Sequence, residues 1–508
     1  MKTPTLTLSM IVKNEEKYLE GCLDSVKNVV DEIVIVDTGS TDKTLEIAEK
    51  FNAKIFHFDW IDDFSAARNF ALSKSNGDWI LYLDADERLN PASIEELKSV
   101  ISTNNYTGVN CIITNLDDYS GNVKKMSYIR LFSKKEGIKF YGKAHEQINA
   151  SLLQNNYKII ESNIEIIHEG YNLPRLKLKE KATRNLPLLL EEYKLSKDSY
   201  YAYQLGNTYQ LLDNETEAVK FYEIALKDKR LKNEYKVIAL LNLADSSRRK
   251  GDLLKAKEYI GLGITYDKTN VILNLVASQI YSGLNLTKEA VNFCKTALIE
   301  NSNYSKNSNR SKVLTIQVKD EKIIYQGILL TFSSGDKHNL EYFLNKFKIL
   351  KNKTEEAELI KLLINDSLTH EYVETLMKLI NKDNMECYLA LINNSKNTNI
   401  KLDILTSIYD SFKNKTRYLV TFGSALVEAN FLEEGARILE ESLDKEDKDP
   451  AAVFYLASIY LRLKKIIKLN TLVAKAEKLF SSNKLVMEKI KLLKSKLHPF
   501  LNEPISAN

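Results

Sequence analysis

The hydrophobic pattern of this chain changes period near Pro174, and this change constrains the fold more than any other feature. Before that point, short apolar runs alternate with segments in which apolar residues recur about every three to four positions, as in strands that alternate with helices. After it, long amphipathic helical segments continue almost to the C-terminus. The sequence therefore predicts an α/β domain followed by an all-α region.

The α/β part shows four apolar strands separated by helical segments. Strands are predicted at 6–12, 33–37, 54–58 and 80–83, with helices at 43–51 and 64–73. This alternation is typical of parallel βαβ units, whose ligands bind at the carboxyl ends of the strands. The sequence contains neither a Gly-x-Gly-x-x-Gly motif nor a P-loop, so a dinucleotide-binding fold and a P-loop NTPase are excluded.

Polar residues follow three of these strands. The fourth strand ends in two carboxylates one residue apart, in the run Ile80-Leu81-Tyr82-Leu83-Asp84-Ala85-Asp86-Glu87. Asn14 and Glu15 follow the first strand, and Asp37 ends the second. Paired carboxylates supply hard oxygen ligands to a divalent cation that grips substrate phosphates. The alternative is an acidic loop that only caps a strand.

Six motifs, in order and at normal spacing, resemble those of family 2 glycosyltransferases with the GT-A fold. They begin at Leu8 (LSMIVKNEE), Val36 (VDTGSTD), Phe64 (FSAARN), Asp84 (DADE), Phe140 (FYGKAHE) and Ile167 (IHEGY). The last two resemble the subgroup that joins this domain to tetratricopeptide helices, the sublancin S-glycosyltransferase group. The resemblance covers roughly residues 5–300. It implies a Rossmann-like, nucleotide-sugar-binding GT-A domain and a metal-dependent hexosyltransferase.

The resemblance also implies a role for each polar residue at the strand ends. Asn14, Glu15 and Asp37 would line the nucleoside pocket of the donor. Asp84 would lie near the ribose and the metal, and Asp86 would be the direct ligand of a Mg²⁺ or Mn²⁺. Such a cation neutralises the diphosphate and makes it a competent leaving group.

Two further residues are candidates for the donor site. Arg68 can donate to phosphate oxygens as a fork, although it could instead form a surface ion pair with Asp62 or Asp63. His168 ends an apolar strand where a histidine completes the metal site in many GT-A enzymes. A lone histidine more often satisfies a core hydrogen bond, and imidazole suits Mn²⁺ better than Mg²⁺. The sequence leaves both alternatives open.

The catalytic base is expected in the motif that begins at Phe140. Family 2 enzymes invert the anomeric configuration, which implies in-line attack and a base within hydrogen-bond reach of the acceptor proton. Glu146 is the preferred base, with His145 as its partner or substitute. The alternative is that Glu146 only orients the loop through backbone amides. A thiol acceptor would need the base less, because thiolate forms readily near neutral pH.

Composition agrees with a large soluble cytoplasmic enzyme. The 508 residues carry a net charge of +4 with 28% charged residues, so no nucleic-acid partner is predicted. The four cysteines are widely scattered and are expected to be buried free thiols in a reducing compartment. No apolar run reaches the length of a membrane span, and residues 1–7 lack a signal-peptide core. The predicted location is therefore cytoplasmic.

Small and aromatic residues recur at tetratricopeptide spacing within residues 198–304. The predicted domains are a GT-A domain at 1–195, a tetratricopeptide domain at 196–305 and a second helical block of degenerate repeats at 320–508. A polar linker is predicted at 301–312. The repeats also offer a surface through which a homo-oligomer could form.

Two classes of function are consistent with these features. The first is an inverting glycosyltransferase that moves a sugar from a nucleotide-sugar donor, expected to be UDP-linked, to a Ser, Thr or Cys of a peptide or protein. The repeats would recruit this acceptor, because concave solenoid surfaces bind extended peptides. A lipooligosaccharide or another cell-surface glycan is the alternative acceptor. The second class is a non-catalytic repeat scaffold with a decayed transferase domain, which the intact Asp37, Asp84, Asp86 and Glu146 argue against.

Overall fold

The chain forms two compact units in a computed structural model. The structure describes residues 4–103, 105–117, 122–169, 175–306, 314–445 and 449–501. Unit 1 comprises Met1–Leu243, Leu262–Leu273 and Ile299–Lys319, and unit 2 comprises Ala244–Gly261, Asn274–Leu298 and Asp320–Asn508. Every strand in the described part of the chain belongs to unit 1.

A nine-stranded sheet runs through unit 1, in the spatial order β3-β2-β1-β4-β7-β6-β8-β5, with β9 paired to β7. The strands are β1 (Leu6–Val12), β2 (Glu32–Asp37), β3 (Lys54–His57), β4 (Trp79–Tyr82), β5 (Glu87–Leu89), β6 (Thr107–Asp117), β7 (Asn122–Ser133), β8 (Lys158–His168) and β9 (Leu314–Gln317). The first four are parallel, which confirms the predicted βαβ arrangement. Strand β7 runs antiparallel to both β4 and β6.

Five helices accompany the sheet: α1 (Leu19–Val26), α2 (Thr44–Lys50), α3 (Phe64–Lys74), α4 (Ile94–Thr103) and α5 (Asn149–Gln154). Apolar residues of the strands share one core with residues of α1 and α4, among them Leu8, Leu23, Leu81 and Leu97. Their burial leaves the polar residues that follow β1, β2 and β4 outside the core, at the strand ends. This is the edge of the sheet at which the sequence predicts the site.

Helices α6 to α12 follow the sheet as predicted. They are α6 (Arg175–Ser196), α7 (Ser199–Leu211), α8 (Glu215–Leu226), α9 (Asn233–Arg249), α10 (Leu253–Tyr266), α11 (Val271–Gly283) and α12 (Thr287–Lys306). The predicted repeats correspond to the pairs α7/α8, α9/α10 and α11/α12. Helices α7 and α8 cross closely, since a Cβ atom on Gly206 would lie 2.5 Å from the ring of Tyr222. A small residue is therefore required at this crossing.

Helices α13 to α24 belong to unit 2. They are α13 (Asp320–Ser334), α14 (Lys337–Lys348), α15 (Thr354–Ile364), α16 (Val373–Leu379), α17 (Met385–Asn393), α18 (Thr398–Ser407), α19 (Tyr409–Phe412), α20 (Thr416–Glu428), α21 (Leu432–Leu443), α22 (Ala451–Arg462), α23 (Ile466–Leu479) and α24 (Lys484–Leu501). A Cβ atom on Gly423 would lie 2.6 Å from Leu439, so α20 and α21 repeat the close crossing of α7 and α8. In the described residues, no helix is both long and apolar enough to cross a membrane.

Two local predictions are wrong. Residues 301–306, predicted as linker, continue α12, while 307–313 lie outside the described residues. Asn301 is buried, and its amide bonds both the backbone N–H and the carbonyl of Val318, at 3.0 and 2.6 Å. The polar side chain of Asn301 therefore makes a buried contact and does not indicate a linker. Strand β9 also interrupts a region expected to be wholly helical, because it pairs with β7.

The prediction that the four cysteines are buried and free is confirmed. Cys22, Cys111, Cys294 and Cys387 are all buried and free. Burial raises the pKa of the Cys387 thiol to about 12, with a further contribution from the carboxylate of Glu356. A thiol with so high a pKa is unreactive near neutral pH.

Candidate active site

The loops after β1 and β2 are joined through Asn14. This residue has a φ of 56°, a left-handed conformation that asparagine adopts more readily than most residues. Its Oδ1 accepts the backbone N–H of Thr41 at 2.7 Å, and its own N–H donates to Oγ of Ser40 at 3.0 Å. The Asn14 side chain thus fixes the turn that follows β2.

Glu15 is held at the same end of the sheet. Its N–H donates to Oγ1 of Thr44 at 2.7 Å. Burial raises the pKa of Glu15 to about 7, and the carboxylate of Asp86 adds to this effect while Lys181 opposes it. The Glu15 carboxyl therefore belongs to the same electrostatic cluster as the acids after β4.

Asp37 ends β2 and stabilises the turn after it. Its carboxylate is buried and accepts the backbone N–H groups of Gly39 at 3.1 Å and Ser40 at 3.0 Å. The sheet register pairs Asp37 with His57, whose Nδ1 lies 3.5 Å from Oδ2 of Asp37. The His57 side chain is 74% exposed. The sequence analysis missed this neighbour, which the position of His57 at the end of β3 could have indicated.

Arg68 joins the acid after β4 to the acid of the 140–147 loop. Its Nη2 donates to Oδ1 of Asp84 at 2.6 Å, and its Nε donates to Oε1 of Glu146 at 2.5 Å. The Arg68 residue is only 6% exposed. The alternative of a surface ion pair with Asp62 or Asp63 is therefore wrong. The carboxylate of Asp63 instead accepts a backbone N–H of α3 as its N-terminal cap.

Arg130 is a site residue that the sequence analysis missed. Its Nη2 lies 2.7 Å from Oε1 of Glu87 and 3.6 Å from Oδ2 of Asp84, and its guanidinium lies over the ring of Tyr82. The other Glu87 oxygen accepts the backbone N–H of Asp84 at 3.0 Å. The available signal was a single arginine within the otherwise apolar end of β7.

The two guanidinium groups determine the charge state of Asp84. Burial alone would raise the pKa of Asp84, but Arg68 and Arg130 outweigh that effect and hold it well below its usual range. The Asp84 side chain is nevertheless 43% exposed. It is therefore an ionised carboxylate that remains accessible at the end of β4.

Asp86 and His168 lie side by side. Nε2 of His168 is 3.3 Å from Oδ2 of Asp86, and Oδ1 of Asn115 accepts from Nδ1 of His168 at 2.7 Å. Burial alone would lower the pKa of His168, but its hydrogen bond with Asp86 raises it above its usual value. A histidine oriented by an amide oxygen, with its other nitrogen beside a carboxylate, is an arrangement suited to binding a cation.

The side chains of Asp86 and His168 suit a cation whose remaining ligands come from the substrate and from water. Among the described residues, no three His, Cys, Asp or Glu side chains form a cluster that could hold a metal alone. Mg²⁺ is usually bound by one or two carboxylates together with substrate phosphates and water. The pair of Asp86 and His168 fits that kind of site.

The 140–147 loop is held from two sides. Asn69 of α3 exchanges two hydrogen bonds with the backbone of Phe140, at 2.9 and 2.7 Å. The backbone N–H of Lys143 donates to Oε1 of Glu192 on α6 at 2.9 Å. The first helix after the sheet therefore helps to position the loop that carries the proposed base.

The two candidate bases differ in their surroundings. The Glu146 side chain is 15% exposed and contacts Arg68. His145 is exposed and has a φ of 53°, and its carbonyl accepts from the hydroxyl of Tyr200 at 3.4 Å. Of the predicted residues, the structure brings Arg68, Asp84 and Glu146 into direct contact and pairs Asp86 with His168. The side chains of Asn14 and Asp37 bond the turn after β2.

Sequence comparisons identify the N-terminal domain. The model of the family "Glycosyl transferase family 2" matches residues 7–160. A TPR repeat-containing protein of Synechococcus elongatus is 35% identical over 257 residues, which cover 49% of this chain and 63% of that protein. Glycosyltransferase SunS of Bacillus subtilis is 24% identical over 380 residues, covering 68% and 88% of the two chains. The match thus spans less than two thirds of the first relative.

Two solved structures also align with this chain. A tetratricopeptide repeat protein from Parabacteroides merdae covers 59% of this chain and all of its own, at 14% identity and a TM-score of 0.39. Glucosyl-3-phosphoglycerate synthase from Mycobacterium tuberculosis covers 37% and 77%, at 16% identity and a TM-score of 0.28. The family assignment rests on the sequence matches. The sequence matches support a glycosyltransferase family 2 domain at residues 7–160, in a chain that continues into a long helical region.

Proposed function

We propose that this protein is a metal-dependent, inverting glycosyltransferase. It would transfer a sugar from a nucleotide sugar, expected to be UDP-linked, to a Ser, Thr or Cys of a peptide or protein. The observation that carries the proposal is the buried Arg68, which links the acid at the end of β4 to the acid of the 140–147 loop. Such a link would hold donor-binding and acceptor-activating groups in one fixed geometry.

The nucleoside of the donor would bind at the ends of β1 and β2. Asn14 and Asp37 bond the backbone of the same turn, so the pocket that they would line would be ordered before the donor arrives. Glu15 bonds Thr44 through its N–H and is close enough to Asp86 and Asp84 for their charges to raise the pKa of its carboxyl group. Preorganised polar groups lower the entropic cost of binding, which supports their assignment to the nucleoside.

The metal would be held by Asp86 and His168. Asp84 is the weaker candidate for a direct ligand, because both of its oxygens face guanidinium groups. When bound, Mg²⁺ or Mn²⁺ would neutralise charge on the diphosphate leaving group. Arg68 would add to this neutralisation, because a guanidinium has five N–H donors and only two are used in its bonds to carboxylates.

Glu146 would accept the proton of the attacking hydroxyl or thiol. Its Oε1 is bonded to Arg68, whereas Oε2 has no hydrogen-bond partner in the described part of the chain. Arg68 would thus fix the orientation of the carboxylate and leave one oxygen for the acceptor. General-base catalysis requires this reach and orientation. His145 would be the substitute base on the exposed side of the same loop.

The proposal is tested by nucleoside diphosphate release from the purified chain. UDP-glucose, UDP-N-acetylglucosamine, UDP-galactose and GDP-mannose would be compared, each with Mn²⁺, with Mg²⁺ and with EDTA. We expect slow, metal-dependent release of UDP from at least one donor. If no nucleotide is released and calorimetry detects no nucleotide binding, the transferase proposal is wrong and the protein is a repeat scaffold.

A further inference from the structure

A cleft with a volume of about 580 Å³ lies beside the 140–147 loop, within unit 1. Three segments form its walls: the end of that loop with α5, the start of α7 and the connection from α8 to α9. The residues that carry the argument are Tyr141, Gln147, Tyr200, Arg230, Lys232 and Tyr235. The cleft is of the size of specific ligand-binding sites.

One wall of the cleft is a packed group of tyrosines. The ring of Tyr200 lies 5.4 Å from that of Tyr235, which in turn stacks on Tyr203 at 4.8 Å. Tyr235 is itself buried. Because the rings are held by one another, they offer apolar contact area and hydroxyl groups with little loss of conformational entropy on binding.

The charges of the cleft are balanced. Asp198 and Asp228 oppose Arg230 and Lys232 along the lining. The Arg230 side chain is 91% exposed. A nucleic acid or an anionic membrane surface would require an excess of positive charge. Aromatic faces combined with charges of both signs instead match a polypeptide, whose side chains include apolar, acidic and basic groups.

The cleft is bonded to the loop that carries the proposed base. Nε2 of Gln147 donates to the hydroxyl of Tyr200 at 2.8 Å and to the carbonyl of Glu146 at 3.2 Å. The Tyr200 hydroxyl also donates to the carbonyl of His145 at 3.4 Å. A ligand that contacts Tyr200 and Gln147 would therefore lie close to Glu146, which directly precedes Gln147 in the loop.

We propose that this cleft binds an extended segment of the polypeptide acceptor, close in sequence to the residue that receives the sugar. The inference rests on the proposed function and adds a recognition site to it. Arg230 already pairs with Asp228, with Nε 3.1 Å from Oδ1. Lys232, which forms no ion pair in the described part of the chain, therefore carries the charge that a neutral glycan acceptor would leave without a counterpart. The tyrosine wall would contact an apolar side chain of the segment, and Lys232 would attract an acidic one.

The test begins by selecting short random peptides from a display library on the full-length protein. The best peptide is then labelled, and its affinity is measured by fluorescence anisotropy. We expect Tyr141→Ala and Lys232→Glu each to weaken binding by about tenfold or more, as the loss of an interface anchor does. Lys158→Glu is the matched control, because Lys158 is exposed at the start of β8 and is not part of the cleft lining. Melting temperatures verify that each variant is folded.

Three results would overturn the inference. They are a selection that yields no binding peptide, equal affinity in wild type and both cleft variants, and binding of a glycan-array oligosaccharide that only the cleft variants lose. Turnover of the four nucleotide sugars named above, with Mn²⁺ and with Mg²⁺, is measured in parallel on the wild-type protein. A protein that turns over the donor but binds peptide independently of the cleft refutes this inference alone. Cleft-dependent peptide binding without turnover of any donor refutes the transferase proposal instead.

Discussion

At the residue scale, the proposed site contains two kinds of side chain. Some would contact the substrate or the metal, and others support those side chains. Glu87, whose side chain is 2% exposed, pairs with Arg130 beside Asp84, whereas Asp86 and Glu146 each retain 15% side-chain exposure. Single substitutions can therefore distinguish metal binding, proton transfer and structural support.

Asp86→Ala should abolish sugar transfer, because the cation would lose its carboxylate ligand and the diphosphate charge would remain uncompensated. Transfer and metal-dependent UDP binding by calorimetry would be measured on the variant and on Asp24→Ala, whose side chain is 51% exposed on α1. The control should match wild type. Wild-type transfer that survives exhaustive chelation would contradict the metal role.

Glu146→Gln should lower turnover by about a hundredfold or more while UDP binding with metal is retained, because glutamine keeps an oxygen for Arg68 but cannot accept a proton. Turnover would be measured at saturating donor. A fall of less than about threefold on a hydroxyl acceptor would remove Glu146 as the base. His145→Ala in the same assay would then identify the substitute.

Glu87→Gln should destabilise unit 1 by about 3 kcal/mol, since it leaves the guanidinium of Arg130, whose side chain is only 15% exposed, without its main counter-charge. The free energy of unfolding in urea measures this change. Glu95→Gln is the control, because that side chain is 91% exposed and its pair with Lys98 spans 3.8 Å. The control should change the free energy by less than about 0.5 kcal/mol. Equal effects in the two variants would contradict a structural role for the Glu87–Arg130 pair.

Residues in local motifs could be predicted from the sequence, and residues defined by distant contacts could not. Asp84 and Asp86 follow β4, and His168 ends β8, so their common edge of the sheet follows from the strand pattern. Arg130 lies 43 residues from its partner Glu87, and only the pairing of β7 with β4 brings them together. The metal ligands and the base remain predictions.

At the element scale, the 140–147 loop is the part of the site most dependent on its supports. It begins at Phe140, which Asn69 of α3 bonds, and it contacts α6 and α7 along its length. Its shape depends on Gly142, which has a φ of 99°. Substitutions that change the backbone of this loop should shift the position of Glu146 even when they do not alter Glu146 itself.

Gly142→Ala should destabilise the protein by about 1–3 kcal/mol and lower transfer, because a side chain is strained at this φ and its Cβ would lie 2.5 Å from the hydroxyl of Tyr201. Thermal unfolding and turnover measure the two effects. Gly261→Ala in α10 is the control, since, apart from its chain neighbours and the backbone of its own helix, no described residue has an atom within 4 Å of its Cβ position. It should stabilise by about 0.5–1 kcal/mol. A stabilising effect at Gly142 would contradict the strain argument.

Elements differed in how readily the sequence predicted them. Strands β1 to β4 and the repeat helices follow from regular apolar periodicity, and the bounds of these four strands agree with prediction to within about one residue. Strand β9 has only four residues and is defined by its pairing with β7, not by its own pattern. Asn301 illustrates the same limit, because its buried role depends on Val318.

At the scale of the whole molecule, two compact units share one chain, and unit 1 contains every residue proposed to bind the donor. Strand β9 and residues up to Lys319 belong to that unit as well. The domain limits expected from the sequence, the homo-oligomer and the cytoplasmic location remain predictions. A truncation can test whether unit 1 carries out the donor chemistry while the helices after Lys319 recruit the acceptor.

A fragment that ends at Lys319 should retain donor hydrolysis but transfer sugar to a full-length polypeptide acceptor with a lower kcat/KM, because it lacks helices α13 to α24. The cut also removes the contact of Gln326 with the carbonyl of Leu275, so gel filtration must verify that the fragment is monodisperse. Unchanged kcat/KM on the polypeptide acceptor would show that those helices do not recruit it.

The position of strand β9 in the chain affects how long one edge of β7 stays unpaired during translation. On the edge of β7 that faces away from β6, β4 pairs with residues 131–133, and β9 pairs with residues 123–126. The ribosome synthesises β9 about 190 residues after the part of β7 with which it pairs. At roughly 5–20 residues per second, this part of the edge stays unpaired for on the order of 10–40 s. During that interval a nascent chain is open to pairing with a neighbour on the same polysome.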